Sequence, residues 1–323
     1  MRKLVILVAG FVLSVGAAFG ASEEVVVETS WGAISATLSS PDEGSDVVAL
    51  IVAGSGSGPT DRNGNSGYGL NSWCYKMLSD ELSDEGIAVM RYDKRGVGQS
   101  RLDDLSTVPD LVFEDFVDDA ALCVAYLRSR GFERVVVVGH SEGGEIAQHL
   151  ALRSDVAIDG VVLLCSPGFP MDTILLRQLS AQLVPQNMGL MVSATTIINA
   201  IKRGQSVAEE RVPKELISLF HPSVQEFLHS SMAFDPQRLM ADIALPALIV
   251  SGGRDVQVSV DNAERLMAVA QQGVYAHFES MCHVLKDAPS SDRIEQLMGI
   301  YTNSQLSLSD GLSKTIVDFI TNI

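Results

Sequence analysis

Short apolar runs alternate with amphipathic segments along most of the chain. Runs without polar residues predict strands that are buried on both faces, and apolar residues that recur every three or four positions predict helices. Together they predict an α/β fold with a mostly parallel sheet flanked by helices. Strands are predicted at residues 24–40 (a β-hairpin at a sheet edge), 46–53, 87–92, 134–138, 161–165, 246–251 and 274–278, and helices at 72–85, 113–127, 146–151, 259–271 and 310–322.

The alternation stops between residues 169 and 242, where several helical patterns occur without a convincing strand. We predict that this stretch is a helical cap, inserted into a core of residues 21–168 and 243–323 and lying over the carboxyl edge of the sheet. It holds five of the eleven methionines, at positions 171, 188, 191, 232 and 240. Because methionine adapts its shape, these side chains either form a pliable acyl pocket or pack the interior of the insertion itself.

The first twenty residues differ from the rest of the chain. Arg2 and Lys3 precede an apolar run that ends at Phe19, and Ala18-Phe19-Gly20 offers small residues before a cleavage point. This pattern predicts a signal peptide, residues 1–20, and a secreted or periplasmic protein. A retained membrane anchor is the alternative, although the apolar run is short. No other stretch is long and apolar enough to span a bilayer, so we predict no stable membrane insertion after cleavage.

Charge and motif spacing exclude several classes of partner. The net charge of −17 becomes −19 once Arg2 and Lys3 are removed, and such a chain repels nucleic acid. The glycine-rich stretch at residues 54–65 lacks the Lys-Ser/Thr pair of a phosphate-binding loop and the spacing of a dinucleotide fingerprint. No cofactor or metal is predicted, since Cys74, Cys123, Cys165 and Cys282 lack metal-ligand spacing. Their three possible disulfide pairings stay open.

The sequence Gly139-His140-Ser141-Glu142-Gly143 lies between a buried strand of four valines and a helical pattern. A strand that turns into a helix this tightly needs glycine on both flanks and exposes the hydroxyl of its central serine. We therefore predict that Ser141 is a nucleophile. The backbone N–H of Glu142 lies at the helix N-terminus, where it can stabilise a developing oxyanion.

A serine nucleophile needs a neighbouring base, and the chain has six histidines. His283 alone follows a strand's carboxyl end in a loop on the same edge as Ser141. Asp255 follows another strand after a short glycine turn. The order Ser141, Asp255, His283 is the one expected for a nucleophile at such a corner. Taken singly, Asp255 could instead cap the next helix and His283 could be an ordinary polar loop residue.

The chain resembles the α/β-hydrolases, in particular the esterase and serine-aminopeptidase-like group with a helical cap. The resemblance implies an α/β-hydrolase fold, the triad Ser141, Asp255 and His283, and an oxyanion hole formed by the backbone N–H groups of Ser55 and Glu142. One departure is that Ala53 stands where many members have a histidine, and a longer loop follows it. The matching segments are Ala53-Gly54-Ser55, Tyr92 to Ser100, Gly139 to Gly144, Gly252-Gly253-Arg254-Asp255 and His283-Val284-Leu285-Lys286.

We therefore predict a secreted serine hydrolase that cleaves carboxylic esters of small or medium acyl groups through an acyl-enzyme. A serine aminopeptidase acting on short peptides is the alternative. That activity would need acidic groups in the insertion to bind an α-ammonium, and Glu209, Glu210, Glu215 and Glu226 are available there. A binding module without catalysis is the third possibility, but it would need a damaged triad. The segment from Asp93 to Ser100 is predicted to be structural.

Overall fold

The computed structural model describes residues 22–55, 60–67 and 69–323. The predicted signal peptide, residues 1–20, lies outside these ranges. Within them, no helix combines the length and the apolar character needed to cross a membrane.

Within the described ranges, nine strands form one sheet. The neighbours run β1-β2-β4-β3-β6-β7-β8-β9, and β5 pairs with β2. Every pair from β4 to β9 along this path is parallel, whereas β2 is antiparallel to its three partners. The strands are β1 (Ser22–Glu28), β2 (Gly32–Ser39), β3 (Val47–Val52), β4 (Ala88–Tyr92), β5 (Arg101–Leu102), β6 (Arg134–His140), β7 (Gly160–Leu164), β8 (Ala247–Gly252) and β9 (Gly273–Phe278). This mostly parallel sheet and its edge hairpin confirm the predicted fold class.

Helices cover both faces of the sheet, which is why the predicted strands contain so few polar residues. The α-helices are α1 (Cys74–Asp84), α2 (Phe113–Ser129), α3 (Glu142–Leu152), α4 (Met171–Leu183), α5 (Met188–Lys202), α6 (Ile217–Phe220), α7 (Gln225–Ser231), α8 (Pro236–Asp242), α9 (Val260–Met267), α10 (Arg293–Gly299) and α11 (Leu312–Thr321). Short 3₁₀ helices lie at Leu105–Asp110, Glu209–Arg211, Lys214–Leu216 and Pro222–Val224.

Strand β6 lies in the middle of the sheet and its four valines are fully buried. Val135 and Val137 belong to the core that the sheet shares with α2, α3 and α9. Val136 and Val138 belong to the opposite core, which the sheet shares with α1 and α11. Because successive side chains of a strand point to opposite faces, a strand between two helical layers must be apolar at every position.

Between β7 and β8 the described chain contains helices and no strand. Helices α4, α5 and α7 share a core of their own, which includes Met171 and Met232. Met191 packs against that core, Met240 lies in the main core and Met188 is exposed. These positions favour packing of the insertion over an acyl pocket as the role of its methionines.

The insertion contacts the core through aromatic side chains, hydrogen bonds and ion pairs, and α7 makes the contacts with α2. The ring of Phe227 lies 6.2 Å from that of Phe113 and 5.2 Å from that of Phe116, measured between centroids. The backbone N–H of Phe113 donates to Ser230 Oγ at 2.8 Å. The N-terminal end of α2 is therefore the part of the core against which α7 packs.

Helix α10 was missed by the sequence analysis. Ile294 and Met298 are 67% and 71% exposed, while Gln296 is fully buried. The Gln296 amide donates to the carbonyl oxygens of Arg254 and Ser290, both at 2.8 Å. Helix prediction from periodicity assumes that the apolar face is buried, and here a polar side chain is buried instead.

Helix α3 carries polar groups into the core. The carboxyl of Glu145, the amide of Gln148 and Nε2 of His149 are buried without a hydrogen-bond partner in the described part of the chain. Burial raises the pKa of Glu145 well above its ordinary value and lowers the pKa of His149 to about 4. The ring of His149 packs 4.3 Å from that of Phe234 and 5.3 Å from that of Phe113.

The pKa of His149 makes a prediction for stability against pH. In the unfolded chain this imidazole returns to an ordinary pKa of about 6.5, so between roughly pH 4 and 6.5 the unfolded state binds a proton that the native state does not. Relative to a chain without this imidazole, the free energy of unfolding should therefore fall as the pH drops from 7 to 5, while the raised pKa of Glu145 acts in the opposite direction. His149→Phe should reduce that fall, as measured by urea unfolding at the two pH values. An undiminished fall in the variant would contradict the assignment.

Candidate active site

Ser141 lies at the corner between β6 and α3 with φ 53° and ψ −124°, a conformation that side chains rarely adopt. Its flanking glycines have no room for a side chain. A Cβ on Gly139 would lie 2.2 Å from the carbonyl oxygen of Gly143, and one on Gly143 would lie 2.1 Å from that of Val52. The turn is thus held tight by contact with the end of β3, and it presents Ser141 at the carboxyl edge of the sheet.

The loop after β3 passes directly over this corner. A Cβ on Gly54 would lie 2.8 Å from Cβ of Ser141 and 3.1 Å from the carbonyl oxygen of His140. Ser55, the predicted second oxyanion donor, is exposed and follows Gly54 immediately. The N–H of Gly54 itself donates to the hydroxyl of Tyr75 at 3.0 Å. Because Gly54 is committed to this bond, Ser55 is the next residue whose N–H the loop can offer to an oxyanion.

Glu142, the other predicted donor, is the first residue of α3. Its backbone N–H belongs to the helix N-terminus, where the peptide dipoles favour negative charge. Its side chain pairs with Lys94 Nζ at 2.7 Å, and both side chains are buried. This pair compensates the carboxylate charge of Glu142 close to the place where an oxyanion would form.

Asp255 and His283 are joined by a hydrogen bond of 2.7 Å between Oδ2 and Nδ1. The other oxygen of Asp255 accepts from the N–H groups of Gln257 and Val258, at 2.8 and 2.9 Å. Burial alone would raise the pKa of Asp255, but His283 and these backbone donors outweigh it and hold the pKa below its ordinary value. An ionised Asp255 can only accept, so Nδ1 of His283 carries hydrogen, and in the neutral ring Nε2 then keeps a free lone pair.

The ring of His140 packs against the ring of His283, with centroids 4.7 Å apart. Because His140 precedes Ser141 in sequence, this contact brings Ser141 close to the Asp255–His283 pair. The hydrogen bonds of the described chain do not include one between Ser141 Oγ and His283. Catalytic hydrogen bonds are often long in unliganded enzymes and shorten when substrate binds. The structure thus brings the three predicted residues to one edge of the sheet and joins Asp255 to His283 by a direct hydrogen bond.

Two residues at this site were not singled out as functional by the sequence analysis. The hydroxyl of Tyr75 lies 2.7 Å from His140 Nδ1, and His140 Nε2 lies 2.8 Å from the carbonyl oxygen of His283. Burial lowers the pKa of His140 to about 3, and the nearby His283 adds to this. His140 was visible beside the nucleophile, but no sequence signal marks Tyr75, which reaches the site only in the folded chain.

The segment from Asp93 to Ser100 makes contacts that support a structural role. Asp93 accepts from the N–H groups of Arg62 and Gln99, at 2.7 and 2.8 Å. Arg95 binds Asp119 through two of its nitrogens, each at 2.7 Å. These bonds hold the segment against the loop after β3 and against α2.

Three potential metal ligands lie close together at the site. Ligand atoms of His140, Cys165 and His283 are within 4.8 Å of one another. Both ring nitrogens of His140 and Nδ1 of His283 are already hydrogen-bonded, and burial raises the pKa of Cys165 well above its ordinary value. A metal needs free imidazole nitrogens and a thiolate, so this group is not arranged as a metal site.

All four cysteines are within the described ranges and are free and buried. Burial raises the pKa of each thiol, to about 11 for Cys74 and Cys282 and well above the ordinary value for Cys123 and Cys165. Since the thiolate is the reactive form, these cysteines act as small core residues.

A comparison with known families matches residues 64–286 to the hydrolase family described as serine aminopeptidase, S33. The chain belongs to this family. The match includes Ser141, Asp255 and His283 as well as Tyr75, and it covers more than half of the chain.

Individual relatives of this family member are named as esterases. Esterase EstD of Thermotoga maritima is 27% identical over 223 residues, which cover 69% of this chain and 50% of the relative. The chain therefore spans about half the length of this curated relative.

Solved structures share the α/β-hydrolase fold at low identity. Esterase Pf2001 of Pyrococcus furiosus superposes with a TM-score of 0.58 at 17% identity, covering 94% of this chain and 91% of that one. Est1E of Butyrivibrio proteoclasticus, solved with ferulic acid bound, gives 0.57 at 14% identity, with 92% and 99% covered. An esterase of Exiguobacterium antarcticum gives 0.54 at 15% identity, with 93% and 100% covered.

The contact between Gly54 and the nucleophile makes a prediction for reactivity. In Gly54→Ala the new methyl group would meet Ser141, so the loop must shift. We expect labelling of Ser141 by a fluorophosphonate to slow on the order of 10²-fold, because small displacements of reacting groups have effects of this size. Gly189→Ala at the start of α5 is the control, since a Cβ there meets no described atom within 4 Å. Equal labelling rates in the two variants would show that the loop does not position the site.

Proposed function

We propose that this chain is a serine hydrolase that cleaves carboxylic esters of small or medium acyl groups through an acyl-enzyme. The observation that carries the proposal is the strained Ser141 at a strand–helix corner beside a directly bonded Asp255–His283 pair. Membership of a hydrolase family and relatives named as esterases support it further.

In the first half of the reaction, Ser141 Oγ attacks the ester carbonyl while Nε2 of His283 takes its proton. Asp255 holds the imidazole in the required tautomer and stabilises the imidazolium that forms. The oxyanion of the tetrahedral intermediate receives hydrogen bonds from the N–H groups of Glu142 and Ser55, and a donor of this kind usually contributes about 3–4 kcal/mol. The imidazolium then protonates the leaving alkoxide, which departs as the alcohol.

In the second half, water takes the place of the alcohol. His283 removes a proton from the water, which attacks the acyl carbonyl, and the same two N–H groups bind the second oxyanion. Collapse of this intermediate releases the carboxylic acid, and the proton returns to Ser141. The reaction needs only the residues already present at the carboxyl edge of the sheet.

The position of the acidic residues favours esters over short peptides. An aminopeptidase binds the α-ammonium of its substrate, and a solvent-exposed carboxylate attracts a cation only weakly. The four acidic residues that the sequence offered for this purpose are exposed, namely Glu209, Glu210, Glu215 and Glu226. Glu142 is near Ser141, but its carboxylate is paired with Lys94.

We further propose that residues 169–242 form a cap that sets the size of the acyl group. The insertion has its own core and packs through α7 on the start of α2. The insertion follows the carboxyl end of β7, the strand next to β6, so it leaves the sheet at the edge where Ser141 lies.

The proposed reaction predicts a specific pattern of turnover. The wild type should hydrolyse p-nitrophenyl esters, with a preference among chain lengths, and should be much slower with aminoacyl-naphthylamides. Ser141→Ala and His283→Ala should each lower kcat by a similar factor, on the order of 10⁴ to 10⁶, because the residues act as a unit. A fluorophosphonate should label Ser141 alone.

Several results would redirect this proposal. Turnover of the amides without the esters would establish the peptidase alternative. Full ester turnover by Ser141→Ala, or a label on another serine, would remove Ser141 as the nucleophile. His277→Ala serves as a control, since that imidazole is bonded to Ser251 within the sheet and should leave turnover unchanged.

We also propose export, which rests on the sequence pattern of residues 1–20. N-terminal sequencing of material recovered from the periplasm or medium should begin at Ala21. A mature chain that keeps Met1 would contradict cleavage, and its recovery in the membrane fraction would favour the retained anchor.

A further inference from the structure

A continuous chain of hydrogen bonds crosses the site from the loop after β3 to the loop that carries His283. The Gly54 N–H bonds the hydroxyl of Tyr75 at 3.0 Å, and that hydroxyl bonds His140 Nδ1 at 2.7 Å. His140 Nε2 then bonds the carbonyl oxygen of His283 at 2.8 Å. Tyr75 and His140 are 2% and 4% exposed, so little water competes for these bonds.

Burial lowers the pKa of His140 to about 3, and for a neutral ring the chemistry of the groups allows only one arrangement of protons in this chain. The His283 carbonyl can only accept, so His140 Nε2 carries the hydrogen. With Nε2 protonated and the ring neutral, His140 Nδ1 must accept, and the Tyr75 hydroxyl donates to it. That hydroxyl still has a lone pair for the N–H of Gly54. Every hydrogen bond of the chain then has one donor and one acceptor, and the Tyr75 hydroxyl takes part in two of them.

We propose that Tyr75 and His140 are positioning residues. They hold Gly54, in the loop after β3, and the main chain of His283 at a fixed separation. The inference rests on the proposed function, because it concerns the geometry in which Ser141, His283 and the oxyanion donors act together. Neither side chain touches the reacting atoms through these bonds. Tyr75 acts through the backbone of Gly54, which lies against Ser141, and His140 acts through the backbone of His283.

The effect of this chain on catalysis follows from what lies at its two ends. Gly54 lies against Ser141 and precedes Ser55, so a shift of Gly54 moves the proposed donor relative to the nucleophile. At the other end, Asp255 fixes the ring of His283 from one side, and His140 fixes its backbone. An oxyanion hole works when its donors are already in place, since no reorganisation is then needed during the reaction.

A comparison within the same molecule separates this role from simple packing. Tyr92 is as buried as Tyr75, at 1% exposed, but its hydroxyl has no hydrogen-bond partner among the described residues. Tyr75→Phe and Tyr92→Phe therefore remove the same atom from two buried rings. Only the first breaks a link between the two loops.

The test compares ester hydrolysis by these two variants. Tyr75→Phe should lower kcat by about 10- to 100-fold with KM changed less than about 3-fold, because positioning acts on the transition state rather than on substrate binding. Tyr92→Phe should keep the wild-type kcat and KM. Thermal unfolding of both variants shows whether the assay temperature lies below the transition. Equal kcat in the two variants would overturn the proposal.

A double-mutant cycle tests whether Tyr75 and His140 act as one chain. His140→Leu should lower kcat by a factor similar to that of Tyr75→Phe, and the double variant should lose little more than the worse single variant. Multiplication of the two single effects would mean that the residues act independently and would overturn the proposal.

A spectroscopic measurement separates failure of this inference from failure of the proposed function. The NMR signals of His140 in protein labelled with ¹⁵N-histidine are assigned as those that disappear in His140→Leu. In the wild type they should report a neutral ring with hydrogen on Nε2, unchanged from pH 8 to pH 5. Tyr75→Phe should shift the Nδ1 signal, since its donor is removed. If these signals are present but the wild-type protein hydrolyses no ester, the result contradicts the proposed function and leaves the hydrogen-bond chain in place. A ring that titrates in this range would overturn the hydrogen-bond chain whatever the turnover.

Discussion

The close approach of three backbone segments at Ser141 is the constraint on which the rest of the structure depends. The end of β3, the end of β6 and the start of α3 meet at distances that leave no space for a Cβ at Gly139 or Gly143. Such contact requires that β3 and β6 be neighbours in a parallel sheet, with the helix leaving at a fixed angle. The unusual φ of Ser141 persists because these surroundings determine it completely.

Local patterns in the sequence were enough to predict the fold, because a sheet covered on both faces leaves its record in apolar runs such as Val135–Val138. The same patterns located Ser141, Asp255 and His283, whose catalytic roles stay predictions. They could not reveal Tyr75 and His140 as partners, since the two residues are 65 positions apart. Helix α10 was missed because it buries Gln296 and exposes apolar residues, the reverse of the pattern on which helix prediction relies.

The ionised side chains near Ser141 are paired or hydrogen-bonded. The chain has a net charge of −17, yet near the serine the charge of Glu142 is paired with that of Lys94, and the charge of Asp255 is stabilised by hydrogen bonds from His283 and two backbone N–H groups. His140 is kept neutral by burial, so it adds no positive charge beside His283. An oxyanion forming here would be opposed by little unpaired negative charge despite the acidic surface.

Asp255 was open to two interpretations, a helix-capping residue or the acid of a triad. Its carboxylate binds the imidazole of His283 and the turn before α9, but it does not cap α9, which begins after Ser259. One oxygen secures the turn after β8 and the other holds the imidazole. A variant that removes the whole carboxylate therefore frees the turn after β8 as well as the imidazole of His283. Its loss of activity combines these two effects. Asparagine, which keeps one carbonyl oxygen for the turn, is the substitution that tells them apart.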